Sequence, residues 1–306
     1  MRSLIVTLSA ILLSVAGIAQ TKTIAERLGY PADAKLLIIH ADDLAVAHSE
    51  DAASFEALDK HDVSSASIMV PCPWLTEVAD YAKAHPDADL GLHLTLTSEW
   101  KTYRWGSVAS SDKVPSLLDP AGTFYSTTEQ AAHAKPAEAE NEFRAQVERA
   151  RAVGINPTHL DSHMGSAFAT PELFAAYVKV AHEYHLPFLA VKVTGPQAKL
   201  LSLLSPRDVL VDSVVIAGPG LQPQQWLSFY LDQIKTLKPG LTYMIVHLGH
   251  DDAELRAVMV DHDDFGAAWR QRDFDAVTNP AFQQALRDNH IIVIRWRDLQ
   301  KLVNEN

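Results

Sequence analysis

The sequence predicts an α/β fold: a single distorted (β/α) barrel of seven or eight mainly parallel strands, preceded by a signal peptide. Two observations support this prediction. Short apolar runs alternate with longer amphipathic ones along the chain, and the strand candidates number about eight. A doubly wound open sheet is the alternative, although no glycine-rich dinucleotide fingerprint follows the first strand candidate.

The individual elements follow from hydrophobic periodicity and from helix-end signals. Strands are predicted at 35–40, 65–70, 90–96, 157–161, 188–193, 209–216, 242–247 and 290–296. Helices are predicted between most of them, at 50–60, 75–84, 137–153, 171–184, 224–237 and 280–289. Thr170-Pro171 and Asn279-Pro280 each place a capping side chain before a proline at the first helical position, and Gly154 marks a helix end.

The composition is that of an ordinary globular protein and narrows the choice of partners. Of 306 residues, 47% are hydrophobic and 21% are charged, which excludes disorder and fibres. The formal net charge is −12. Because binding to a polyanion requires a basic face that releases counterions from phosphate, we expect no nucleic acid partner.

The first 19 residues have the features of a secretory signal peptide. Arg2 precedes a mostly apolar run at 4–19, which ends in small residues before Gln20. The run is shorter than the ~20 residues of a membrane-spanning helix, so we expect cleavage, no stable membrane insertion afterwards and an exported protein, periplasmic or extracellular. An uncleaved membrane anchor is the alternative. Residues 20–306 then form one barrel domain, in which the single cysteine, Cys72, makes no internal disulfide.

The periodicity fails between residues 98 and 136, where we expect an irregular insertion rich in aromatic residues. Trp100, Tyr103 and Trp105 lie in it. One interpretation is that these rings plug one end of the barrel. The other is that they form a substrate-binding wall on which sugar rings stack.

Two adjacent carboxylates, Asp42 and Asp43, follow the first strand candidate where its apolar run stops. Adjacent residues on a strand point to opposite faces, so both acids can share a site only where the backbone turns at the strand's end. In a barrel this end is the mouth of the active site. The alternative is a solvated acidic turn that caps the next helix.

Histidines on later strand candidates are expected near the same end. Strand alternation places His93 inside the barrel, as either a hydrogen-bonded core residue or a ligand. His159, Asp161 and His163 are spaced two apart and share one face. Three such groups in a core require mutual pairing or a metal ion. His247, which ends the seventh strand candidate, projects toward the same mouth.

Three motifs, in this order, resemble the YdjC/ChbG-like carbohydrate deacetylases, relatives of the polysaccharide deacetylases. They are Ala41-Asp42-Asp43, the run Gly91-Leu92-His93-Leu94-Thr95-Leu96-Thr97 and the run Thr158-His159-Leu160-Asp161-Ser162-His163. The resemblance spans most of the mature chain. It implies a distorted barrel that holds one divalent metal ion and removes N-acetyl groups from amino sugars. By position, it implies metal ligation by Asp43, His93 and His163, and a general base at Asp42.

These roles define a consistent hydrolytic mechanism. Two imidazoles and one carboxylate leave coordination positions open, as in catalytic sites, and Mg²⁺ and Zn²⁺ both fit. Such an ion lowers the pKa of bound water from about 15.7 toward about 7. We expect Asp42 to accept the water proton and His247 to donate a proton to the amine leaving group. Asp161 or His159 is expected to orient a ligand imidazole.

Two other functions stay open as alternatives to removal of acetyl groups from N-acetylated amino sugars or oligosaccharides. Another metal-dependent hydrolase, acting on an ester or a phosphoester, could use a similar triad. For a phosphoester we expect Arg or Lys at the mouth, and near these motifs we find only acids and histidines. A non-enzymatic periplasmic sugar-binding protein is the third hypothesis, but it needs no His/Asp cluster. Oligomerisation is left open.

Overall fold

The computed structural model describes residues 22–303, without the side chains of residues 196 and 197. This part of the chain contains the strands β1 (Lys35–Leu44), β2 (Ser65–Ile68), β3 (Leu90–Leu94), β4 (Leu160–Ser162), β5 (Ser213–Ile216), β6 (Gly240–Val246) and β7 (Ile291–Val293). Its α-helices are α1 (Ile24–Arg27), α2 (His48–Asp59), α3 (Leu75–Ala84), α4 (Thr128–Ala131), α5 (Pro136–Ala152), α6 (Pro171–Glu183), α7 (Trp226–Thr236), α8 (Ala253–Val258), α9 (Ala267–Val277), α10 (Pro280–Asp288) and α11 (Trp296–Val303). The predicted signal peptide, residues 1–19, lies outside the described residues. Within residues 22–303, no helix combines the length and the apolarity that crossing a bilayer requires.

The strands form one parallel sheet in which β1 is central. The order is β4-β3-β2-β1-β6-β5, and β7 pairs with the first residues of β1. With ten residues, β1 is long enough to pair with β6 along its first part and with β2 from His40 onward. Parallel neighbours require crossover connections, and helices supply most of them.

The sheet curls toward a barrel. Beyond β4, Phe188 forms a parallel bridge with Leu160, and Val191 forms one with Val211, just ahead of β5. The segment between β4 and β5 therefore forms isolated bridges instead of a continuous hydrogen-bonded strand. The predicted α/β class is confirmed with seven strands in the described chain, whereas the prediction of a regular strand at 188–193 is wrong.

The helices agree closely with the periodicity of the sequence. Each of the six predicted helices begins and ends within two residues of its observed counterpart, which are α2, α3, α5, α6, α7 and α10. The Thr170 hydroxyl accepts the N–H of Leu173, and the Asn279 side chain accepts the N–H of Ala281, as expected of caps. Gly154 follows α5 with a φ of +92°, the left-handed conformation that commonly ends helices.

The sequence does not predict α8, α9 and α11. In α9 the buried face includes Arg270 and Asp273 beside apolar residues, so the helix shows no clean apolar stripe. Its burial depends on charged partners supplied by other parts of the chain.

Hydrophobic clusters cover both faces of the sheet. Along β1, Leu37 belongs to a large cluster packed with the surrounding helices, whereas Leu36 and Ile38 belong to a smaller cluster that includes α1 and α11. Trp296 of α11 is completely buried in this smaller cluster. Because side chains alternate along a strand, His40 follows Leu36 and Ile38 on the same face. This face therefore changes from apolar to polar toward the carboxyl end of β1.

The insertion at 98–136 contains two single 3₁₀ turns and the short helix α4. Its organising residue is Arg104, whose guanidinium donates to the hydroxyls of Ser98 and Ser126 and to the carbonyl oxygen of Phe124. The carboxylate of Glu142, on α5, accepts two further backbone N–H groups of the insertion. These contacts anchor an otherwise irregular segment beside the end of β3.

Candidate active site

The acids and histidines singled out in the sequence meet at the carboxyl end of the parallel sheet. Asp42 and Asp43 lie near the end of β1, His93 in β3, His163 directly after β4 and His247 directly after β6. All five are buried. In parallel α/β proteins this edge is where ligands bind, because the loops that follow the strands converge there.

A left-handed turn brings both adjacent carboxylates to this edge. Asp43 has a φ of +71° and Ala45 a φ of +76°, and the register between β1 and β2 shifts after Ala41. Asp adopts this conformation more readily than most residues other than glycine. Strand alternation stops here, and both Asp42 and Asp43 face Nε2 of His93, at 3.7 and 3.4 Å.

Asp43, His93 and His163 each direct one ligand atom toward a common point. Oδ1 of Asp43 lies 3.4 Å from Nε2 of His93 and 3.2 Å from Nδ1 of His163. The three residues offer one atom each within 4.8 Å of one another. Atoms that bind one zinc ion at about 2.1 Å lie roughly 3.0–3.4 Å apart. The spacing therefore fits a single divalent cation.

Carboxylates hold the outer nitrogens of both imidazoles. Nδ1 of His93 donates to Asp161 at 2.7 Å, and Nε2 of His163 donates to Glu99 at 2.9 Å. In the neutral imidazole, these bonds leave the lone pair on the inner nitrogen, which faces Asp43. Metal-binding histidines in proteins commonly have a partner of this kind on the other nitrogen.

The surroundings of Oδ1 of Asp43 also indicate a cation site. Oδ1 is buried and makes no hydrogen bond with any described residue. An ionised oxygen that faces two nitrogen lone pairs is repelled by them unless positive charge lies between them. Two imidazoles and a carboxylate form a donor set suited to Zn²⁺ and compatible with Mg²⁺.

Neighbouring carboxylates make the two imidazoles strongly basic. Burial alone would lower the pKa of His93, but Asp161 and Asp42 outweigh it and raise the pKa to about 9. Burial would also lower the pKa of His163, but Glu99 is the main opposing influence, and the pKa rises to about 10. The cluster therefore favours positive charge at this point, either as protons or as a metal ion.

Asp42 and His247 lie beside the triad. Oδ2 of Asp42 is 3.9 Å from Nε2 of His247. Burial raises the pKa of Asp42 to about 7, near the value at which a carboxyl group exchanges protons effectively at neutral pH. Burial lowers the pKa of His247 to about 3, so this imidazole is uncharged. The pair offers a proton acceptor next to a neutral imidazole.

Arg270, on α9, balances the charge of Asp43. Its Nη2 donates to Oδ2 of Asp43 at 2.8 Å, its Nη1 forms an ion pair with Glu50 of α2, and its Nε donates to the carbonyl oxygen of Phe265. Burial alone would raise the pKa of Asp43, but Arg270 and His163 hold it well below its usual range. One oxygen of Asp43 is thus engaged by the guanidinium while the other faces the imidazoles.

Asp161 connects the site to the inner face of the sheet. Its Oδ2 accepts from His40 Nε2 at 3.0 Å, from the Ser67 hydroxyl at 2.9 Å and from the Tyr243 hydroxyl at 3.0 Å. Burial alone would raise the pKa of Asp161, but His93 and His40 hold it well below its usual range. The residue is therefore ionised and fixed in position, which also fixes the ring of His93.

His159 is completely buried and makes no hydrogen bond to His93 or His163. Its ring stacks on Trp296, with centroids 5.0 Å apart. A Cβ atom at Gly91 would come within 2.3 Å of this ring, so the glycine leaves the space that the imidazole occupies. Of the two residues expected to orient a ligand imidazole, Asp161 forms a hydrogen bond with His93, and His159 forms none with either imidazole.

A cavity of about 630 Å³ opens over the cluster. Its lining includes Asp42, Asp43, His93, His163 and His247, and also Glu99 and Arg270. Of the three aromatic residues expected to bind substrate, Trp100 is part of the lining and Tyr103 and Trp105 are not. The Tyr103 hydroxyl donates to the carbonyl oxygen of Val46, and the Trp105 N–H donates to that of Thr97.

Arg270, Glu50 and Glu99 belong to the site but lie outside the sequence motifs that predict it. Arg270 and Glu50 lie on helices far apart in the chain, and no spacing rule connects them to the strand motifs. Glu99 did carry a usable signal, since it follows shortly after β3, where side chains reach the mouth of a barrel.

The curled parallel sheet and the buried carboxylate–histidine cluster at its carboxyl end define an α/β protein of the barrel class with a candidate site for a divalent cation. The chain belongs to the YdjC-like protein family, whose model matches residues 36–288. This confirms the family resemblance that the three sequence motifs indicate.

Individual relatives agree with this assignment. The chain is 32% identical over 289 residues to a carbohydrate deacetylase of Thermus thermophilus, and the match covers 90% of this chain and 97% of the relative. It is 26% identical over 269 residues to a carbohydrate deacetylase of Geobacillus stearothermophilus, covering 87% of this chain and 98% of that one. A crystal structure from Enterococcus faecalis V583, of a protein named for cellobiose-phosphate cleavage, superposes with a TM-score of 0.74 at 22% identity, covering 87% of this chain and 99% of that one. This last likeness concerns the fold.

Proposed function

We propose that the protein is a metal-dependent hydrolase that removes acetyl groups from N-acetylated amino sugars or oligosaccharides. The observation that carries the proposal is the convergence of Asp43, His93 and His163 beneath a cavity, with a carboxylate behind each imidazole. The names of the relatives from Thermus thermophilus and Geobacillus stearothermophilus support a carbohydrate as the substrate.

Asp43, His93 and His163 would hold one divalent ion. When bound, such an ion polarises a carbonyl group and lowers the pKa of a bound water molecule. The two nitrogen donors favour Zn²⁺, and Mg²⁺ is the second candidate. Asp161 and Glu99 keep both imidazoles oriented, and Arg270 keeps one oxygen of Asp43 engaged.

The chain's own residues manage the protons of the reaction. Asp42 accepts a proton from the attacking water while the water oxygen bonds to the acetamide carbon. The proton then passes through His247, 3.9 Å from Asp42, to the amide nitrogen as the C–N bond breaks. One water is consumed, and the products are a free amine and acetic acid, which ionises to acetate. His247 is suited to transfer because it starts uncharged and can accept a proton before donating one.

The decisive experiment measures acetate released from N-acetylglucosamine oligomers by the purified protein, before and after treatment with a chelator and after addition of Zn²⁺ or Mg²⁺. We expect activity to disappear with the ion and to return with it. No acetate under any condition, together with tight sugar binding by the metal-free protein, would favour the sugar-binding alternative.

Substitutions distinguish the residues that would bind the metal ion from those that would transfer protons. His93→Ala and His163→Ala should lose both the bound ion and the activity, measured by metal content and acetate release. Asp42→Asn should keep the ion and lose roughly 10²–10⁴ in rate, the usual contribution of a general base. His182→Ala, which removes a histidine paired with Asp208 outside this site, is the matched control and should change neither property. Normal turnover by Asp42→Asn would contradict its role.

We also propose that residues 1–19 are a signal peptide and that residues 20–306 act as one exported domain. The apolar run at 4–19 and the small residues before Gln20 support this proposal. Amino-terminal sequencing of protein recovered outside the cytoplasm should begin near Gln20. An intact first residue in that fraction would contradict cleavage.

A further inference from the structure

His40, in β1, is a buried polar residue that the proposed reaction does not use. Its side chain is completely buried. Strand alternation places it on the same face as Leu36 and Ile38, which precede it, and Asp42, which follows it. The apolar residues of this face pack in the smaller hydrophobic cluster, where a polar ring is tolerated only if its nitrogens find partners. The partners of His40 therefore indicate what this imidazole does.

Hydrogen bonding assigns a hydrogen to Nε2 of His40. This nitrogen lies 3.0 Å from the hydroxyl oxygen of Ser67. Ser67 donates its single hydroxyl hydrogen to Oδ2 of Asp161 at 2.9 Å, so its oxygen can only accept from His40. The same carboxylate oxygen of Asp161 lies 3.0 Å from Nε2. Nε2 therefore carries a hydrogen and presents it to oxygen acceptors.

Neighbouring side chains fix the orientation of the His40 ring. Its Nδ1 lies 3.0 Å from the hydroxyl of Ser65, in β2. The ring of Tyr243 packs against it with centroids 4.9 Å apart, and the ring of His159 meets it edge-on with centroids 5.0 Å apart. Because these contacts hold the imidazole in one orientation, Nε2 stays in one place.

The two carboxylate oxygens of Asp42 have different surroundings. Oδ1 is buried, makes no hydrogen bond of good geometry with any described residue, and lies 3.2 Å from Nε2 of His40. Oδ2 lies 3.7 Å from Nε2 of His93 and 3.9 Å from Nε2 of His247, two residues that line the cavity. A buried acceptor without a donor is costly, and the N–H of His40 is close enough to reduce this cost. The imidazole therefore accompanies one oxygen of Asp42 and leaves the other to the site.

We propose that His40 is a positioning residue for Asp42: its Nε2–H holds Oδ1, so that Oδ2 stays directed toward His93 and His247. The inference rests on the proposed deacetylase function, in which Asp42 accepts a proton from water. A carboxylate that can rotate presents Oδ2 to the site only part of the time, and misplacement of a reacting group by about 1 Å can cost about 10²-fold in rate. Asp161, close to the same nitrogen, anchors the imidazole from its other side.

The test measures kcat and KM for acetate release from N-acetylglucosamine oligomers, together with metal content, in three variants of the metal-loaded protein. His40→Gln can place an amide N–H near the position of Nε2, His40→Asn places it near Nδ1, and His40→Leu has no donor. We expect the Leu and Asn variants to lower kcat at least about tenfold, with KM and bound metal nearly unchanged. His40→Gln should recover most of the loss. His182→Leu, outside the site, is the matched control and should change none of these values.

A double variant separates positioning from a general structural effect. If His40 acts through Asp42, adding His40→Leu to Asp42→Asn should lower kcat by less than about twofold further, because the group that it positions is already disabled. Two unrelated effects would instead multiply. Should His40→Leu fail to fold, the order of His40→Gln above His40→Asn decides the question alone.

Three results would overturn the inference. They are a wild-type kcat in His40→Leu, equal losses in His40→Gln and His40→Asn, and a loss that multiplies fully with that of Asp42→Asn. Loss of the bound ion in every His40 variant would also overturn it, since the imidazole would then act through the ligands of the ion. Absence of acetate from the unmodified protein with every ion tested would instead overturn the proposed deacetylase function itself.

Discussion

The ion pairs of Arg270 can be tested by replacing the residue with methionine, which keeps most of the side-chain volume and removes the charge. The guanidinium is 1% exposed and lies between the carboxylates of Asp43 and Glu50, which are also buried. In Arg270→Met, the buried Glu50 loses its ion-pair partner, whereas Asp43 keeps only the imidazoles of His93 and His163 as positive neighbours. The expected result is a large loss of stability in the metal-free protein.

The magnitude follows from the burial of all three groups. Removing one partner of a buried ion pair costs about 3–5 kcal/mol, because the charge left behind is neither solvated nor paired. Glu50 limits the loss by taking up a proton, since burial already raises its pKa well above the usual range. The double variant Arg270→Met/Glu50→Gln removes this second charge as well, and we expect it to recover at least about 1 kcal/mol, a typical coupling between residues in contact.

The assay is urea denaturation of the metal-free proteins in the presence of a chelator. Arg256→Met is the matched control, since Arg256 pairs with Asp251 at the surface and its removal should leave the free energy of unfolding nearly unchanged. Equal stability of Arg270→Met and Arg256→Met would refute the reasoning. So would a double variant that is no more stable than Arg270→Met.

Two further predictions concern the framework of the site. Gly91→Ala places a methyl group within 2.3 Å of the His159 ring and should lower the free energy of unfolding by about 1–3 kcal/mol. Gly218→Ala is the control, because a Cβ atom there has nothing within 4 Å, and it should leave stability nearly unchanged. Equal stability of the two variants in a thermal or urea melt would contradict the contact. For Asp252, burial alone would raise the pKa, but its hydrogen bond from the N–H of Leu255 outweighs this and lowers the pKa below 3.8. The ionised form therefore stabilises the fold above about pH 4, and this advantage of wild type over Asp252→Asn should shrink as the pH falls below 3.8; a difference that does not shrink there would contradict it.

The regular elements were predictable because they depend on local patterns. Helices such as α3, whose bounds match the prediction at Leu75–Ala84, carry an apolar stripe and end signals within their own residues. The segment at 188–193 shows the limit of this reasoning. It is apolar and short like a strand, but the curvature of the sheet allows it only isolated bridges at Phe188 and Val191.

The candidate site was predictable in its strand residues and not in its helix residues. Asp42, Asp43, His93 and His163 follow strand ends, and parallel strands bring those ends together whatever the details of the fold. Arg270 reaches the same place from α9 because the tertiary packing buries that helix against the end of β1 and α2. Ion pairs between residues far apart in the chain produce no periodic pattern in the sequence, so they cannot be predicted from it.

The sequence by itself determined the α/β class, the bounds of most helices and the set of acids and histidines at one edge of the sheet, because periodicity and strand direction are properties of neighbouring residues. Only the tertiary structure decided which nitrogen of each imidazole faces Asp43 and that His159 packs on Trp296. It also decided that Arg270 forms ion pairs with two buried carboxylates. These outcomes depend on distances between residues far apart in the chain, and electrostatic and packing energies respond to those distances alone.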